Sequence, residues 1–284
     1  MPALRALVIL GCVLASAAQA AEYREQQIPL TLDDGRTLTA QLRIPLEAQG
    51  KLPAVMLFGG FRNAATVLDR VQTDRPVIWA SFDYPFEAPR KFEFPGSLKL
   101  APQMRTAIHG SLDGVGKLYA QLKTHSQVDP ARITVVGGSA GAPFAIVGAA
   151  QHGIPGVVLV QGFGDARRVV QHLLARKYEE RWGAWARGPA WLLATWILWY
   201  CEVPDIAAHA RALKPPQKVL MIAAQQDDFI PKEAGEALWK ALQESDAQHE
   251  RIELPGRHLR AGSADQIADI LQRALAWMEK NGLL

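Results

Sequence analysis

The stretch RITVVGGSAGAPF, residues 132–144, decides how this sequence folds. Apolar β-forming residues run directly into Gly-Gly-Ser-Ala-Gly, and the residues that follow have helical character. Where a strand turns sharply into a helix, backbone and side chains crowd together, so the residues two positions either side of the turn must be very small. Gly137 and Gly141 hold those positions around Ser139. We therefore predict a strand–turn–helix that lifts the Ser139 side chain clear of the sheet.

A serine in such a turn is suited to nucleophilic chemistry. The free N–H groups at the start of the following helix point towards Ser139 and favour negative charge there. The five residues 137–141 fit G-x-S-x-G, the pattern of a strand-to-helix turn that exposes a nucleophile. An ordinary glycine-rich turn is the alternative explanation, because small residues are common between a strand and a helix. Only partner residues elsewhere in the chain can decide between a catalytic turn and an ordinary one.

The composition is that of a globular protein and excludes some classes of function. The chain has 284 residues, of which 49% are hydrophobic and 21% charged, with a formal net charge of +3. This length suits one large domain or a domain with an insertion. No run of five or six like charges occurs, so we predict no nucleic-acid partner. The histidines show no paired ligand spacing, and we predict neither a metal nor a cofactor.

The first 20 residues have the features of a cleaved secretory signal. A short basic start precedes an apolar run at residues 6–15, and Ala18-Gln19-Ala20 forms an A-x-A cleavage site. The apolar run is short of the roughly 20 residues that span a bilayer. We predict cleavage after Ala20 and export to the periplasm or the medium, which leaves a mature domain of residues 21–284. A lipoprotein anchored at Cys12 is the minor alternative.

Buried strands alternate with helices along the rest of the chain. Continuous apolar runs and helical periodicity predict strands at 52–58, 77–82, 133–136, 156–160, 218–224 and 248–254, and helices at 104–128, 140–150, 231–243 and 264–280. Segments 23–32 and 38–45 alternate in polarity around a DDGR turn, which predicts an antiparallel hairpin. The alternation of strands and helices along the chain predicts a mostly parallel sheet with helices on both faces and the hairpin strands at its edge.

Polar side chains stand where three of these strands end. In an open sheet of this kind, functional groups collect at the carboxyl ends of the strands. Asp227 and Asp228 follow the strand at 218–224, and His258 follows the strand at 248–254. Together with Ser139 they give the chain order Ser, Asp, His that is typical of one scaffold among serine hydrolases.

The chain from about residue 22 to its end resembles the α/β-hydrolases. VDPARITVVGGSAGA, residues 128–142, is similar to the elbow region of dienelactone-hydrolase-like and prolyl-oligopeptidase-like members. The resemblance implies the α/β-hydrolase fold, with Ser139 as nucleophile and His258 as its base. Asp227 fits the family pattern D-x-x-hydrophobe-P and is our choice for the acid that orients His258. Asp228, which could instead cap the next helix, remains the alternative.

The resemblance also implies an oxyanion hole made of two backbone N–H groups. One is expected from Ala140, directly after the nucleophile. The other is expected from the loop after the strand at 52–58, where Phe61 is our first choice and Gly60 the close alternative. The family often carries His-Gly-Gly in this loop, whereas this chain has Phe58 before its two glycines.

Residues 163–216 interrupt the pattern and are rich in tryptophan. Five of the eight tryptophans lie here, and no residue from 188 to 201 is charged. We predict a helical cap inserted over the site, in which Trp196 and Trp199 form an apolar pocket for the acyl or alcohol group. Tyr84, in the loop after the strand at 77–82, is expected at the same pocket. A buried core helix and a membrane-interface helix are the alternatives.

The sequence therefore predicts a secreted serine hydrolase that cleaves carboxylic esters of small or medium size through an acyl-enzyme. A serine peptidase of the prolyl oligopeptidase type is the first alternative, followed by a thioesterase or acyltransferase. A non-enzymatic binding protein on a hydrolase scaffold is disfavoured because all three members of the triad are present. The expected partner is a small or medium-size ester, with membrane association as a less favoured possibility.

Overall fold

The computed structural model of the protein describes residues 22–47, 49–60, 63–86, 96–260 and 263–284. The signal segment predicted at residues 1–20 and the oxyanion candidate Phe61 lie outside the described residues. Within them, the strands are β1 (Tyr23–Thr31), β2 (Thr37–Pro45), β3 (Leu52–Phe58), β4 (Ile78–Phe82), β5 (Val128–Gly138), β6 (Gly156–Val160), β7 (Lys218–Ala224) and β8 (Gln248–Leu254).

The strands form a single mixed sheet in the order β1-β2-β4-β3-β5-β6-β7-β8. β1 and β2 pair antiparallel, from Tyr23 opposite Pro45 to Thr31 opposite Thr37, and β2 also runs antiparallel to β4. Every pair from β4 to β8 is parallel. The predicted edge hairpin and the mostly parallel sheet are therefore confirmed. The carboxyl ends of β3, β5, β6, β7 and β8 consequently lie along one edge.

Helices cover both faces of this sheet. They are α1 (Ala64–Leu68), α2 (Ala101–Thr124), α3 (Ala142–His152), α4 (Ala166–Trp182), α5 (Arg187–Tyr200), α6 (Ile206–Arg211), α7 (Lys232–Gln243) and α8 (Ala264–Lys280). The core on one face includes buried residues of α2, α3, α6 and α7. The core on the other face includes buried residues of α1 and α8.

Burial on both faces explains why the central strands read as continuous apolar runs. In β6, Val157 and Leu159 pack into the core beneath α2 and α3. Val158 and Val160, which alternate with them, pack into the core beneath α8. Successive strand side chains point to opposite faces, so a strand covered on both sides needs apolar residues at every position.

Several helix boundaries differ by a few residues from the sequence prediction, and two of these differences have a local cause. α2 ends at Thr124 rather than at 128, because His125 is extended and Val128 already belongs to β5. α3 begins at Ala142 rather than at 140, because Ser139–Gly141 forms a 3₁₀ turn.

The short helix α1 was not predicted at all, since five residues show no periodicity. It is held by hydrogen bonds at its start. The Asn63 side chain accepts the N–H of Thr66, and the Asp83 carboxylate accepts the N–H of Ala64.

The segment predicted as a cap divides into two parts. α4 and α5 pack against each other and are joined by a 3₁₀ turn at Gly183–Ala186. α6 belongs instead to the main body, because it packs on α3 and α7 and buries Ile206 and Ala210 in the core. In the described part of the chain, no helix is both long enough and apolar enough to cross a bilayer.

The turn at Ser139 leaves no room for side chains at its two flanking glycines. A Cβ on Gly137 would lie 2.6 Å from the carbonyl oxygen of Gly141, and a Cβ on Gly141 would lie 2.3 Å from the carbonyl oxygen of Phe58. Ser139 itself has φ 52°, in the left-handed region that non-glycine residues avoid. The G-x-S-x-G pattern is thus a packing requirement, of Gly137 against the start of α3 and of Gly141 against the end of β3.

We expect Gly141→Ala to destabilise the fold by at least about 2 kcal/mol, because the new Cβ overlaps a backbone atom that cannot rotate away. Gly138→Ala is the matched control. Its backbone is extended, and a Cβ there would meet only the Phe58 carbonyl oxygen, at 3.9 Å. Urea denaturation of the two variants measures the difference. Equal loss of stability in both would contradict the packing explanation of the motif.

Candidate active site

Ser139 and His258 are joined by a hydrogen bond at the carboxyl edge of the sheet. Ser139 directly follows β5, and the turn directs its Oγ towards the loop after β8. The distance from Ser139 Oγ to His258 Nε2 is 2.9 Å. The imidazole is buried, with 7% of His258 exposed. A base within hydrogen-bond reach of a serine hydroxyl is the geometry that nucleophilic activation requires.

The far side of the imidazole is held by Asp227. His258 Nδ1 lies 2.8 Å from Asp227 Oδ2. Oδ1 of the same carboxylate accepts the backbone N–H groups of Phe229, at 2.9 Å, and Ile230, at 2.8 Å. The ring of Phe229 stacks on the imidazole with 5.2 Å between ring centroids. Both carboxylate oxygens are therefore engaged, which fixes the carboxylate and with it the orientation of the imidazole.

Asp228, the alternative acid, pairs with Arg260, and the imidazole of His258 is hydrogen-bonded to Asp227 instead. Asp228 Oδ2 accepts a hydrogen bond of 2.6 Å from Arg260, and the main-chain carbonyl of Asp228 accepts one of 3.0 Å from Arg176. Burial disfavours the charged carboxylate, but the Arg260 guanidinium and nearby backbone N–H groups outweigh this and lower the pKa of Asp228. The structure thus brings Asp227 to the imidazole, as the sequence pattern favoured.

The loop after β3 lies against Ser139 on the other side. A Cβ on Gly60 would be 3.9 Å from the backbone nitrogen of Ala140 and from Ser139 Cβ. Ala140 and Gly60, two of the three predicted oxyanion residues, are therefore neighbours, and Phe61 lies outside the described residues. Tyr84 holds this loop by donating from its hydroxyl to the carbonyl oxygen of Gly59, at 2.8 Å. Burial raises the pKa of Tyr84, so the hydroxyl keeps its proton.

A cavity of about 920 Å³ opens at Ser139 and His258. Its walls extend between the sheet and the helices α1 and α8, and they are mainly aliphatic and aromatic. The described lining includes Leu57, Trp79, Val136 and Val160 from the strands, Val67 and Val71 from in and after α1, Ile267, Ile270, Leu271, Ala274 and Met278 from α8, and Leu173 from α4. A site of this size and polarity accommodates an apolar group the size of a drug-like ligand.

The predicted tryptophan pocket needs correction. Of the described residues that line the cavity, α4 contributes three and α5 contributes none, so Trp196 and Trp199 are not part of it. α5 buries the small residues Ala190 and Ala194, which allows close packing on α4, and the indoles point outward. Trp196 is 40% exposed, and Trp199 73%.

Tyr84 is likewise absent from the described lining of the cavity. It packs between Phe82 and Phe144, and its hydroxyl supports the oxyanion loop rather than a substrate.

Gln161 is a supporting residue that the sequence analysis missed. It follows β6, is 4% exposed and has φ 50°. Its side-chain oxygen accepts the N–H of Leu259 at 2.7 Å, and its side-chain nitrogen donates to the carbonyl of Arg257 at 3.4 Å. The amide therefore holds the backbone on both sides of His258. Its position after a buried strand is the same signal that identified the acid and the histidine.

In this arrangement His258 can take a proton from the hydroxyl of Ser139, while Asp227 holds the other side of the imidazole. An arrangement of this kind can transfer an acyl group from an ester, thioester or amide to Ser139 and then to water or another acceptor. Among the described residues, no three His, Cys, Asp or Glu side chains lie close enough together to hold a metal ion.

Comparison with known proteins identifies a family. The sequence profile of the prolyl oligopeptidase family matches residues 111–282, a range that contains Ser139, Asp227 and His258. No curated protein sequence matches the chain significantly.

Solved structures with the same fold include peptidases and esterases. A prolyl endopeptidase matches with 18% identity and a TM-score of 0.60, over 92% of this chain and 38% of that one. A puromycin-hydrolyzing peptidase of Mycobacterium tuberculosis matches with 19% identity and a TM-score of 0.65, over 91% of this chain and 39% of that one.

Acetyl xylan esterase 1 from Thermoanaerobacterium sp. JW/SL YS485 matches with 16% identity and a TM-score of 0.61, over 91% of this chain and 86% of that one. The chain thus spans about two fifths of the length of the two peptidases and most of the length of the esterase. At these identities the likeness concerns the fold, and the α/β-hydrolase architecture is confirmed.

We expect Asp227→Asn to slow the reaction of Ser139 with a fluorophosphonate by on the order of 10³-fold, because an asparagine amide favours the wrong imidazole tautomer. Asp228→Asn, which alters a partly exposed ion pair with Arg260, is the adjacent control and should change the rate less than about 3-fold. Labelling rates at neutral pH measure both. Similar rates for the two variants would show that the Asp227–His258 contact does not activate Ser139.

We expect Gln161→Met to slow the same labelling reaction about 10-fold or more, because both hydrogen bonds to the backbone beside His258 are lost. Gln225→Met is the control, since Gln225 follows β7 and is exposed. The pH dependence of labelling should shift in Gln161→Met alone, since that variant changes how the imidazole is held. A variant that melts earlier but labels at the normal rate and pH would make Gln161 a purely structural residue.

Proposed function

The chain belongs to the prolyl oligopeptidase family of α/β-hydrolases, and we propose that it is a serine hydrolase that cleaves carboxylic esters through an acyl-enzyme. The observation that carries the proposal is the hydrogen-bonded series Asp227–His258–Ser139 at the mouth of a large apolar cavity. Family membership supports serine hydrolysis in general, and the cavity supports the choice of an ester.

Acylation begins at Ser139. Its Oγ attacks the ester carbonyl carbon while its proton passes to Nε2 of His258. Asp227, which is hydrogen-bonded to Nδ1, stabilises the imidazolium that results. The negative charge that develops on the carbonyl oxygen is met by the N–H of Ala140 and by an N–H of the loop after Gly59. The tetrahedral intermediate collapses when the ester C–O bond breaks and His258 gives the proton to the departing alcohol.

Deacylation repeats these steps with water in place of the alcohol. His258 takes a proton from a water molecule, which attacks the acyl carbon of the Ser139 ester. The second tetrahedral intermediate releases the carboxylic acid and returns the proton to Ser139 Oγ. The same backbone donors stabilise both intermediates, and Tyr84 supports them indirectly by fixing the carbonyl of Gly59.

The walls of the cavity favour an ester over a peptide. A peptide brings backbone N–H and C=O groups that lose water on binding and need hydrogen-bond partners. The described walls contributed by α8 and by the strands are apolar side chains, among which the indole N–H of Trp79 is the one conventional hydrogen-bonding group. The hydrocarbon part of an ester has no such groups and gains about 0.8 kcal/mol for each CH₂ group that it buries.

A peptidase is the second candidate, because the family and two of the structural relatives bear that name. The prolyl endopeptidase and the puromycin-hydrolyzing peptidase share this fold over more than nine tenths of the chain, with 92% and 91% coverage. Amide cleavage uses the same triad and differs from ester cleavage in the leaving group. Rates on an ester and an amide of the same acid therefore distinguish an esterase from a peptidase.

Export from the cytoplasm belongs to the same proposal. The basic start, apolar run and A-x-A site in residues 1–20 support secretion or periplasmic location after cleavage at Ala20.

We expect the full chain to hydrolyse p-nitrophenyl butyrate with a kcat/KM at least 100-fold above that for the p-nitroanilide of the same acid and for a prolyl p-nitroanilide. Ser139→Ala should lower ester turnover by about 10³-fold or more while the circular dichroism spectrum is unchanged. Faster cleavage of the prolyl anilide than of the ester would favour the peptidase. Full activity in Ser139→Ala would exclude Ser139 as the nucleophile.

A further inference from the structure

The cavity at Ser139 follows one face of α8. The described lining from this helix consists of Ile267, Ile270, Leu271, Ala274 and Met278. Residues three, four, seven and eleven positions apart share one side of an α-helix, so these five form a continuous apolar stripe. The cavity therefore extends along the helix instead of ending beside the nucleophile.

The stripe leads away from the catalytic edge of the sheet. α8 begins at Ala264, six residues after His258. At its other end, Asn281 accepts hydrogen bonds from the side chains of Lys218, at 2.6 Å, and Gln248, at 3.0 Å, which are the first residues of β7 and β8. α8 is thus antiparallel to the strands, and each later residue of the stripe lies further from Ser139.

The strands supply the wall that faces the stripe. Leu57 of β3 pairs with Val136 of β5, and Trp79 of β4 pairs with Val55, which is two residues earlier in β3. Trp79 therefore lies deeper in the cavity than Leu57.

Exposure falls along both walls with distance from the mouth. Ile267 and Leu57 are half-buried, whereas Ala274 is 3% exposed, Trp79 1% and Met278 0%. The space between α8 and the sheet consequently narrows with depth and closes on Trp79 and Met278. We call this narrowing part of the cavity the α8 slot.

The dimensions and walls of the α8 slot suit a hydrocarbon chain of limited length. Ala274 is the smallest residue of the stripe and leaves room opposite the strands. The distance along the helix from Ile267 to Ala274 is about 10 Å, which matches an extended chain of on the order of eight carbons. Each CH₂ group that enters adds up to about fourfold in affinity, the equivalent of its transfer free energy.

We propose, on the basis of the ester hydrolysis argued above, that the substrate is an ester of a medium-chain fatty acid, with its acyl chain in the α8 slot and its carbonyl carbon at Ser139 Oγ. The acyl group stays bound to Ser139 until water releases it, so a closed slot suits it. The alcohol departs halfway through the reaction and needs an open exit. Leu173 and Phe229, each 40% exposed, line that open side of the cavity.

A series of p-nitrophenyl esters with one leaving group and different acyl chains tests the slot. We expect kcat/KM to rise at least about 10-fold from the acetate to the octanoate, because the added CH₂ groups leave water. It should fall again at the dodecanoate, because the slot is closed by Trp79 and Met278. Each ester is measured below the concentration at which it forms aggregates.

Two alanine-to-leucine variants on the same helix assign the effect to the slot. Ala274→Leu adds volume inside it and should lower the ratio of octanoate to butyrate kcat/KM at least about 5-fold. Ala276→Leu is the matched control, since Ala276 is exposed and absent from the described lining, and it should leave the ratio unchanged.

Leu271→Ala is a second variant that adds no volume to the core. Leu271 is half-buried, and its loss removes part of the wall, so the same ratio should fall about 3-fold or more. Circular dichroism checks that each variant is folded. This variant tests the slot even if Ala274→Leu does not fold.

Protection against fluorophosphonate labelling measures chain binding without turnover. Octanamide and butanamide are neutral and differ only in chain length. We expect octanamide to protect Ser139 at concentrations at least about 10-fold below those that butanamide requires, and Leu271→Ala to reduce this difference.

The outcomes distinguish this inference from the proposed function. Ester turnover that is equal for the acetate, butyrate and octanoate would overturn the acyl slot and leave ester hydrolysis standing. An equal change of the octanoate-to-butyrate ratio in Ala274→Leu and Ala276→Leu would also overturn it. Protection that depends on chain length, without turnover of any ester, would overturn the proposed ester hydrolysis and with it the assignment of the slot to an acyl group.

Discussion

The close approach of two backbone segments at the carboxyl edge of the sheet is the constraint on which the site depends. The turn at Ser139 passes so near the end of β3 that a methyl group on Gly141 would meet the carbonyl of Phe58 at 2.3 Å. This contact brings the loop that contains Gly60 beside Ala140. One packing contact therefore positions both the nucleophile and the residues predicted to form the oxyanion hole. The strained φ of Ser139 is maintained because neither segment can move without the other.

The other half of the site is assembled from the next three strand ends. β7 leads to Asp227, β8 leads to His258, and β6, which carries no reacting group, leads to the amide of Gln161. That amide spans the backbone around His258. Four adjacent parallel strands, β5 to β8, are therefore followed in spatial order by the nucleophile, the supporting Gln161, the acid and the base. The parallel arrangement matters because it puts all four ends on the same edge.

The sequence predicted the fold and the triad because both rest on simple periodic rules. Strands buried on both faces give continuous apolar runs. Functional groups follow the carboxyl ends of parallel strands, and this strand-end rule identified Ser139, His258 and a pair of adjacent aspartates. The choice of Asp227 over its neighbour came from a family pattern, because the strand end does not tell which carboxylate the following turn directs inward. The same rule covered Gln161, which was overlooked because glutamine has no reactive group. The tryptophans were assigned to the pocket because their periodicity does not tell which face of α5 packs on α4.

Because those indoles lie on the outside, the protein has both solvent-exposed and buried tryptophans whose fluorescence reports on different places. Trp79 is buried at 1% exposure and forms part of the inner wall of the cavity. Trp185 and Trp199, at 88% and 73% exposure, lie in water on the outer surface of the helical pair. Iodide reaches these indoles and also Trp191 and Trp196, at 42% and 40% exposure, whereas an apolar ligand in the cavity contacts Trp79 alone among the described tryptophans. Quenching by iodide therefore reports on the outer surface of the helical pair, and the fluorescence that iodide leaves includes the signal of the cavity wall.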